Sequence, residues 1–140
     1  MSVYSERLAK LKKDIKSIES VRQKKRWKPN QKIVIDFING VTEKAEFLIN
    51  AHKVTLKLGD SKKGFKHIIE RHYCKGCPGE LETLDIINIA EVFLRGIKLN
   101  EIGVSNSDLT VYQLNKNGKI LKLVLDSKEN GELVVTFYNV

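Results

Sequence analysis

Two of the three histidines lie five residues apart in one run, Gly64-Phe65-Lys66-His67-Ile68-Ile69-Glu70-Arg71-His72-Tyr73. An imidazole exchanges protons near neutral pH, and a neighbouring arginine or lysine offsets charge that develops on phosphate oxygens. Such a set, with no carboxylate cluster around it, fits cleavage of RNA without a metal. A base activates the 2′-hydroxyl, cations hold the phosphorane, and an acid protonates the leaving 5′-oxygen. The spacing of Phe65, Ile68, Ile69 and His72 predicts a helix. On it His67 and Arg71 share a face, while His67 and His72 diverge by roughly 140° and about 7.5 Å along the axis. Both histidines line one site only if the helix ends near Arg71 or the site wraps around its end. His72 falls on the apolar side, where a histidine serves packing as readily as chemistry. His52 stands before a strand with no neighbours that suggest chemistry.

Directly behind this helix come Cys74-Lys75-Gly76-Cys77 and Pro78-Gly79. A C-x-x-C loop with a glycine supplies half of a zinc site, with His72 as a third ligand, but His67 is badly placed for a fourth. A disulfide and two free thiols are the other readings, and the spacing alone leaves all three open.

The elements that must position these residues alternate along the chain. Leu8, Leu11, Ile15, Ile18 and Val21 recur at helical steps, with Ser5 as N-cap and Pro29 closing the pattern near Trp27. The β-branched stretch Ile33 to Ile38 followed by Asn39-Gly40 predicts a strand and a tight hairpin, with a return strand through Val41 to Ile49, although Glu43, Ala45 and Leu48 could equally begin a helix. Alternation at Val54, Leu56 and Leu58 predicts another strand. Leu84, Ile87, Ala90, Val92 and Leu94 predict one helix between Thr83 as cap and Gly96 as stop. Leu109 to Leu114, Lys119 to Leu125 and Glu132 to Asn139 predict three strands joined at Asn117-Gly118 and Asn130-Gly131. The fold class expected is α+β, N-terminal helices followed by a twisted antiparallel sheet.

With 140 residues, one core is expected, divided as a basic helix over residues 1–28 and a single α+β domain over residues 29–140. The net charge of +8 is unevenly placed. Residues 1–28 hold ten bases against three acids, and the remainder holds 15 against 14. Three roles fit the basic helix: a solvated helix packed by its apolar stripe, a nucleic-acid contact through Lys24, Lys25, Arg26 and Lys28, or a membrane-surface or partner helix. Charge interrupts every apolar run well before the length of a membrane span, and no secretory leader is legible.

The run GFKHIIERH, a second helix ending Leu94-Arg95-Gly96, and three strands closing on Val135-Thr136-Phe137-Tyr138 resemble the barnase, EndoU, colicin and RelE-like toxin ribonucleases, the BECR group. That group includes C-terminal toxin domains of contact-dependent inhibition systems and toxins of phages and conjugative elements. The resemblance covers about residues 53–140. It implies a BECR-like sheet and metal-independent cutting of RNA, transfer RNA among the candidates, to a 2′,3′-cyclic phosphate, with no cofactor. It implies His67 as general base or acid, Arg71 and His72 near the phosphate, and Thr136 and Tyr138 as hydrogen-bonding groups sharing one strand face. Lys122 joins them if it reaches the site instead of snorkelling, and Lys66 joins Lys24, Lys25 and Arg26 as a nucleic-acid contact. The implied partners are RNA and a cognate, acidic immunity or antitoxin protein. The implied place of action is the bacterial cytoplasm, with delivery inside a larger secreted effector as one route. The alternative from the residues alone is a non-enzymatic nucleic-acid-binding domain that uses the basic helix.

Overall fold

A computed structural model describes residues 2–22, 27–99, 109–126 and 132–140. Helices α1 (Val3–Arg22) and α2 (Pro29–Ile38) lead into the hairpin β1 (Lys44–Ile49) and β2 (His52–Lys57). Three short helices follow, α3 (Phe65–His72), α4 (Thr83–Ile87) and α5 (Ile89–Arg95), and then β3 (Ile97–Leu99), β4 (Leu109–Lys116), β5 (Lys119–Asp126) and β6 (Glu132–Asn139). The strands form one six-stranded sheet ordered β1-β2-β6-β5-β4-β3. Every pairing is antiparallel except β2 with β6, which is parallel and short. The class is α+β.

The strand expected over Ile33 to Ile38 is instead helix α2. Pro29 opens it at a position where the missing N–H costs nothing, and the Gln31 side-chain carbonyl accepts the Lys28 N–H at 2.9 Å. Val34, Ile35, Phe37 and Ile38 then fall on one buried face, so burial on the sheet overrides β-branched propensity. Asn39-Gly40 ends that helix, and β1 pairs with β2 through Asn50-Ala51, both at positive φ. The single helix expected over Leu84 to Leu94 breaks at Asn88, whose side chain accepts from Gln31 Nε2 at 2.7 Å. Glu82, not Thr83, caps its first half. Strand β3 has no counterpart in the sequence reading, and the Asn130-Gly131 turn lies outside the described residues.

Helix α1 belongs to the core. Leu11 and Ile15 are fully buried beside Phe65, Ile68 and Ile69, and Leu8 packs on the same cluster. The stripe stops there: Val21 is 81% exposed. Ser2, not Ser5, caps the helix, its hydroxyl accepting the Ser5 N–H at 3.1 Å. The helix is described as far as Arg22, and the stop expected near Trp27 and Pro29 falls on residues 23–26, outside the described residues. Two polar ties then fix α1 to α3. Arg7 donates to the Glu70 carbonyl at the end of α3 and to the Ile69 carbonyl, which it shares with the capping Tyr73 N–H. The Tyr73 hydroxyl donates to Asp14 at 2.6 Å and lies 2.8 Å from Thr83 Oγ1. Burial first, and then the Asp14 carboxylate, pushes the Tyr73 hydroxyl pKa upward. Burial alone would raise Asp14; the hydrogen bonds from Lys10 and Tyr73 outweigh it and hold that carboxyl below its usual range.

The sheet core is built from Leu121, Leu123, Leu125, Val134 and Phe137, all buried on one face. A bulge between Val124 and Leu125 lets Val134 pair with Leu125 while Thr136 pairs with Val124. The extra residue, Val135, turns Thr136 and Tyr138 to the face opposite Val134.

Because Leu11 lies in the common core and not on an appended arm, Leu11→Ala should lower unfolding free energy by about 2–5 kcal/mol, as large-to-small core changes do. Urea denaturation followed by circular dichroism measures it. A change under about 0.5 kcal/mol, the scale of surface substitutions, would show α1 to be peripheral.

Candidate active site

Strand β2 pairs with β6 only at Val54–Glu132 and Thr55–Leu133, so the rest of that β6 edge needs other partners. The loops on either side of α3 supply them. Gly64 N–H donates to the Val135 carbonyl at 2.8 Å, and Asn139 N–H donates to the Gly79 carbonyl at 3.2 Å. Helix α3 is thereby laid along the last strand, with its end beside Tyr138.

His67 and His72 meet there. The helix stops at His72 with Tyr73 as its cap, and the two imidazole centroids are 5.8 Å apart at 82°. The end of the helix thus resolves the divergence its regular geometry would impose. The His72 ring lies 5.6 Å from the Tyr138 ring at 33°. Gly79 makes room for this, since a Cβ there would sit 2.7 Å from His72 Nδ1 and 3.0 Å from the Tyr138 Cβ, and its φ is +71°.

Both rings are fixed by backbone oxygens. His67 Nδ1 is 3.0 Å from the Ser61 carbonyl and His72 Nδ1 is 2.8 Å from the Pro78 carbonyl. A carbonyl only accepts, so each Nδ1 carries the proton, and in the neutral ring each Nε2 keeps a free lone pair. The loop that presents Ser61 is itself held. Asp60 Oδ1 accepts from the Lys62 and Lys63 N–H groups at 2.8 and 3.1 Å, bonds that lower the Asp60 pKa. Ser61 Oγ donates to Glu70 of α3 at 3.0 Å.

The sheet continues the site. Tyr138 pairs with Lys122, and Lys122 with Gln113, so Gln113, Lys122 and Tyr138 form one row leading to His72. Thr136 stands one step along on the same face, and its buried Oγ1 has no hydrogen-bond partner among the described residues. Arg71 is exposed at the end of α3, and its charge acts on His72. His67, Arg71, His72, Thr136, Tyr138 and Lys122 therefore fall on α3 and the adjoining sheet face. Lys66 turns toward α1, with Nζ 6.0 Å over the Tyr4 ring. Lys24, Lys25 and Arg26 lie outside the described residues. Lys62 and Lys63, exposed on the loop that holds His67, add two cations that the sequence reading passed over. Gln113 was legible: an Asn-Gly turn with Lys116 opposite Lys119 sets Gln113 opposite Lys122 by counting.

Cys74 and Cys77 are joined as a disulfide. Among the described residues no group of three or more His, Cys, Asp and Glu side chains is arranged to hold a metal ion. Comparison with protein-family models and with curated proteins finds no match for this chain.

Burial above all, and then the neighbouring charges of His67 and Arg71, lowers the His72 pKa below 6.5, against the opposing effect of the Pro78 carbonyl. A depressed histidine contributes stability that is complete above the unfolded pKa near 6.5 and is lost as pH falls through the folded value. Unfolding free energy should therefore decline on acidification from pH 7, and His72→Gln should flatten that decline. Proton NMR titration should place His72 below 6.5; a midpoint at or above it would overturn the account of the buried ring.

Proposed function

We propose that this protein is a metal-independent endoribonuclease of the BECR toxin type. The observation that carries the reading is the pair of imidazoles at the end of α3, each held by a carbonyl at Nδ1 so that its Nε2 is left to exchange a proton. Neutral His72, whose charged form burial disfavours, takes the proton of a ribose 2′-hydroxyl. The O2′–P bond forms as the P–O5′ bond breaks, and the imidazolium of His67 gives its proton to the leaving O5′. The products are a 2′,3′-cyclic phosphate and a 5′-hydroxyl. Arg71, together with Lys122 beside Tyr138 on the sheet, offsets charge on the phosphorane, and the Thr136 and Tyr138 hydroxyls donate to its oxygens. The unpartnered Thr136 hydroxyl supports this, because a buried polar group without a partner costs free energy unless a ligand satisfies it.

RNA is the substrate class, transfer RNA among the candidates. A cell that makes such an enzyme needs an immunity protein, and an acidic one fits a surface on which Lys62, Lys63 and Arg71 are exposed. The alternative, a nucleic-acid-binding domain without catalysis, uses the exposed lysines of α1.

Total RNA incubated with the protein should be cut in EDTA, and His67→Ala or His72→Ala should each slow cutting by at least about a hundredfold with the fold retained. Intact RNA under every condition sinks the enzymatic reading. Salt-dependent retention of RNA without cleavage, lost when the α1 lysines are replaced by glutamine, points to the binding alternative instead.

A further inference from the structure

We propose that the Cys74–Cys77 disulfide is a reversible switch on this site: intact, it holds the Pro78 carbonyl against His72; reduced by a dithiol, it releases that ring and slows cleavage. The regulation of cleavage rests on the ribonuclease reading, whereas the release of the ring does not.

The disulfide closes the four-residue turn that begins two residues after His72 and ends at the residue before Pro78. The oxygen that fixes the His72 tautomer is thus carried on the residue that the cross-link anchors. Little else holds the turn. Cys77 N–H reaches the Cys74 carbonyl at 3.4 Å, and Gly76 N–H donates to the partly exposed Glu80 carboxylate at 2.8 Å. Gly76 and Gly79, at φ of 80° and 71°, give the opened segment many alternative backbone shapes.

The flanks are tied independently. Tyr73 is held by Asp14 and Thr83, the Gly79 carbonyl by Asn139, and the Leu81 N–H by the His72 carbonyl. Opening the disulfide therefore loosens Cys74 to Pro78 without undoing the core, a local event of the kind that low-stability loops undergo. Both cysteines are partly exposed, so a thiolate can reach them. That thiolate attacks one sulfur, the S–S bond breaks to a mixed disulfide, and the second thiol of the reductant displaces it. Two electrons and two protons pass to Cys74 and Cys77 as thiols, and the reductant becomes the disulfide. Freed from Pro78, the neutral His72 ring no longer keeps its proton at Nδ1, and Nε2 loses the lone pair that the site uses.

The test compares oxidised protein, the same protein in excess dithiothreitol, and Cys74→Ser/Cys77→Ser. Long-range proton–nitrogen spectra of the histidine rings at pH 8 report each tautomer, and total RNA reports cleavage. Oxidised protein should show His72 as the Nδ1–H form. Reduced protein and the serine variant should show it shifted toward Nε2–H, with His67 unchanged and the core amides retained. Cleavage should fall at least fivefold on reduction and recover on reoxidation, and the serine variant should ignore the dithiol. A His72 tautomer that is the same in both redox states overturns the proposal, as does a shifted tautomer with unchanged cleavage. If the serine variant does not fold, the oxidised and reduced protein decide the matter by themselves. If oxidised protein cuts no RNA, the ribonuclease reading and the control of cleavage fall together, while the spectra still decide whether the disulfide holds the ring.

Discussion

The free edge of β6 is the constraint on which the site depends. A central strand with unpaired backbone groups is unfavourable, and β2 covers only its first two residues. The Gly64 N–H and the Gly79 carbonyl each pair with that edge and in doing so bracket α3 between them. The helix cannot slide without breaking one of these bonds, so its last residue is delivered to Tyr138. The bulge at Val135 serves the same end twice. It offers the carbonyl that Gly64 uses, and it turns Thr136 and Tyr138 toward the site while keeping Val134 and Phe137 in the core.

Chemistry then follows from what the backbone offers to the rings. Two carbonyls define which nitrogen of each histidine is protonated, and the loops that carry them are held by different means. Around Ser61 the holding group is Asp60, a side chain that folds its own turn. Around Pro78 it is a covalent cross-link. The two histidines are therefore fixed with unequal permanence, because a carboxylate turn is indifferent to thiols and a disulfide is not.

Much of this was legible in the sequence, and the rest has physical reasons for its silence. The helix Phe65–His72, the three late strands and the shared face of Thr136 and Tyr138 follow from period and spacing. The Asn117-Gly118 turn, with both φ positive, fixes its own register and with it the Gln113 and Lys122 pair. Helix α2 was misread because Val34, Ile35 and Ile38 favour strands, and only burial beneath the sheet decides otherwise. The Ser61 and Pro78 oxygens carry no side-chain signature at all. The core role of α1 was half visible: its stripe named Leu11 and Ile15, but no pattern announces that Arg7 completes the end of a helix more than sixty residues away. The net charge, concentrated at the same helix, drew attention to its lysines instead.

The last strand in chain order occupies an interior place in the sheet, between β2 and β5. Everything made before it is left with two incomplete strand edges and a helix α3 that lacks the strand it lies along. A nascent chain therefore cannot assemble this site piecemeal as it emerges, and must wait for Glu132–Asn139 before the histidines, the tyrosine and the threonine share one surface. The topology thus delays formation of that surface until synthesis of β6 is complete, a timing that no single residue encodes.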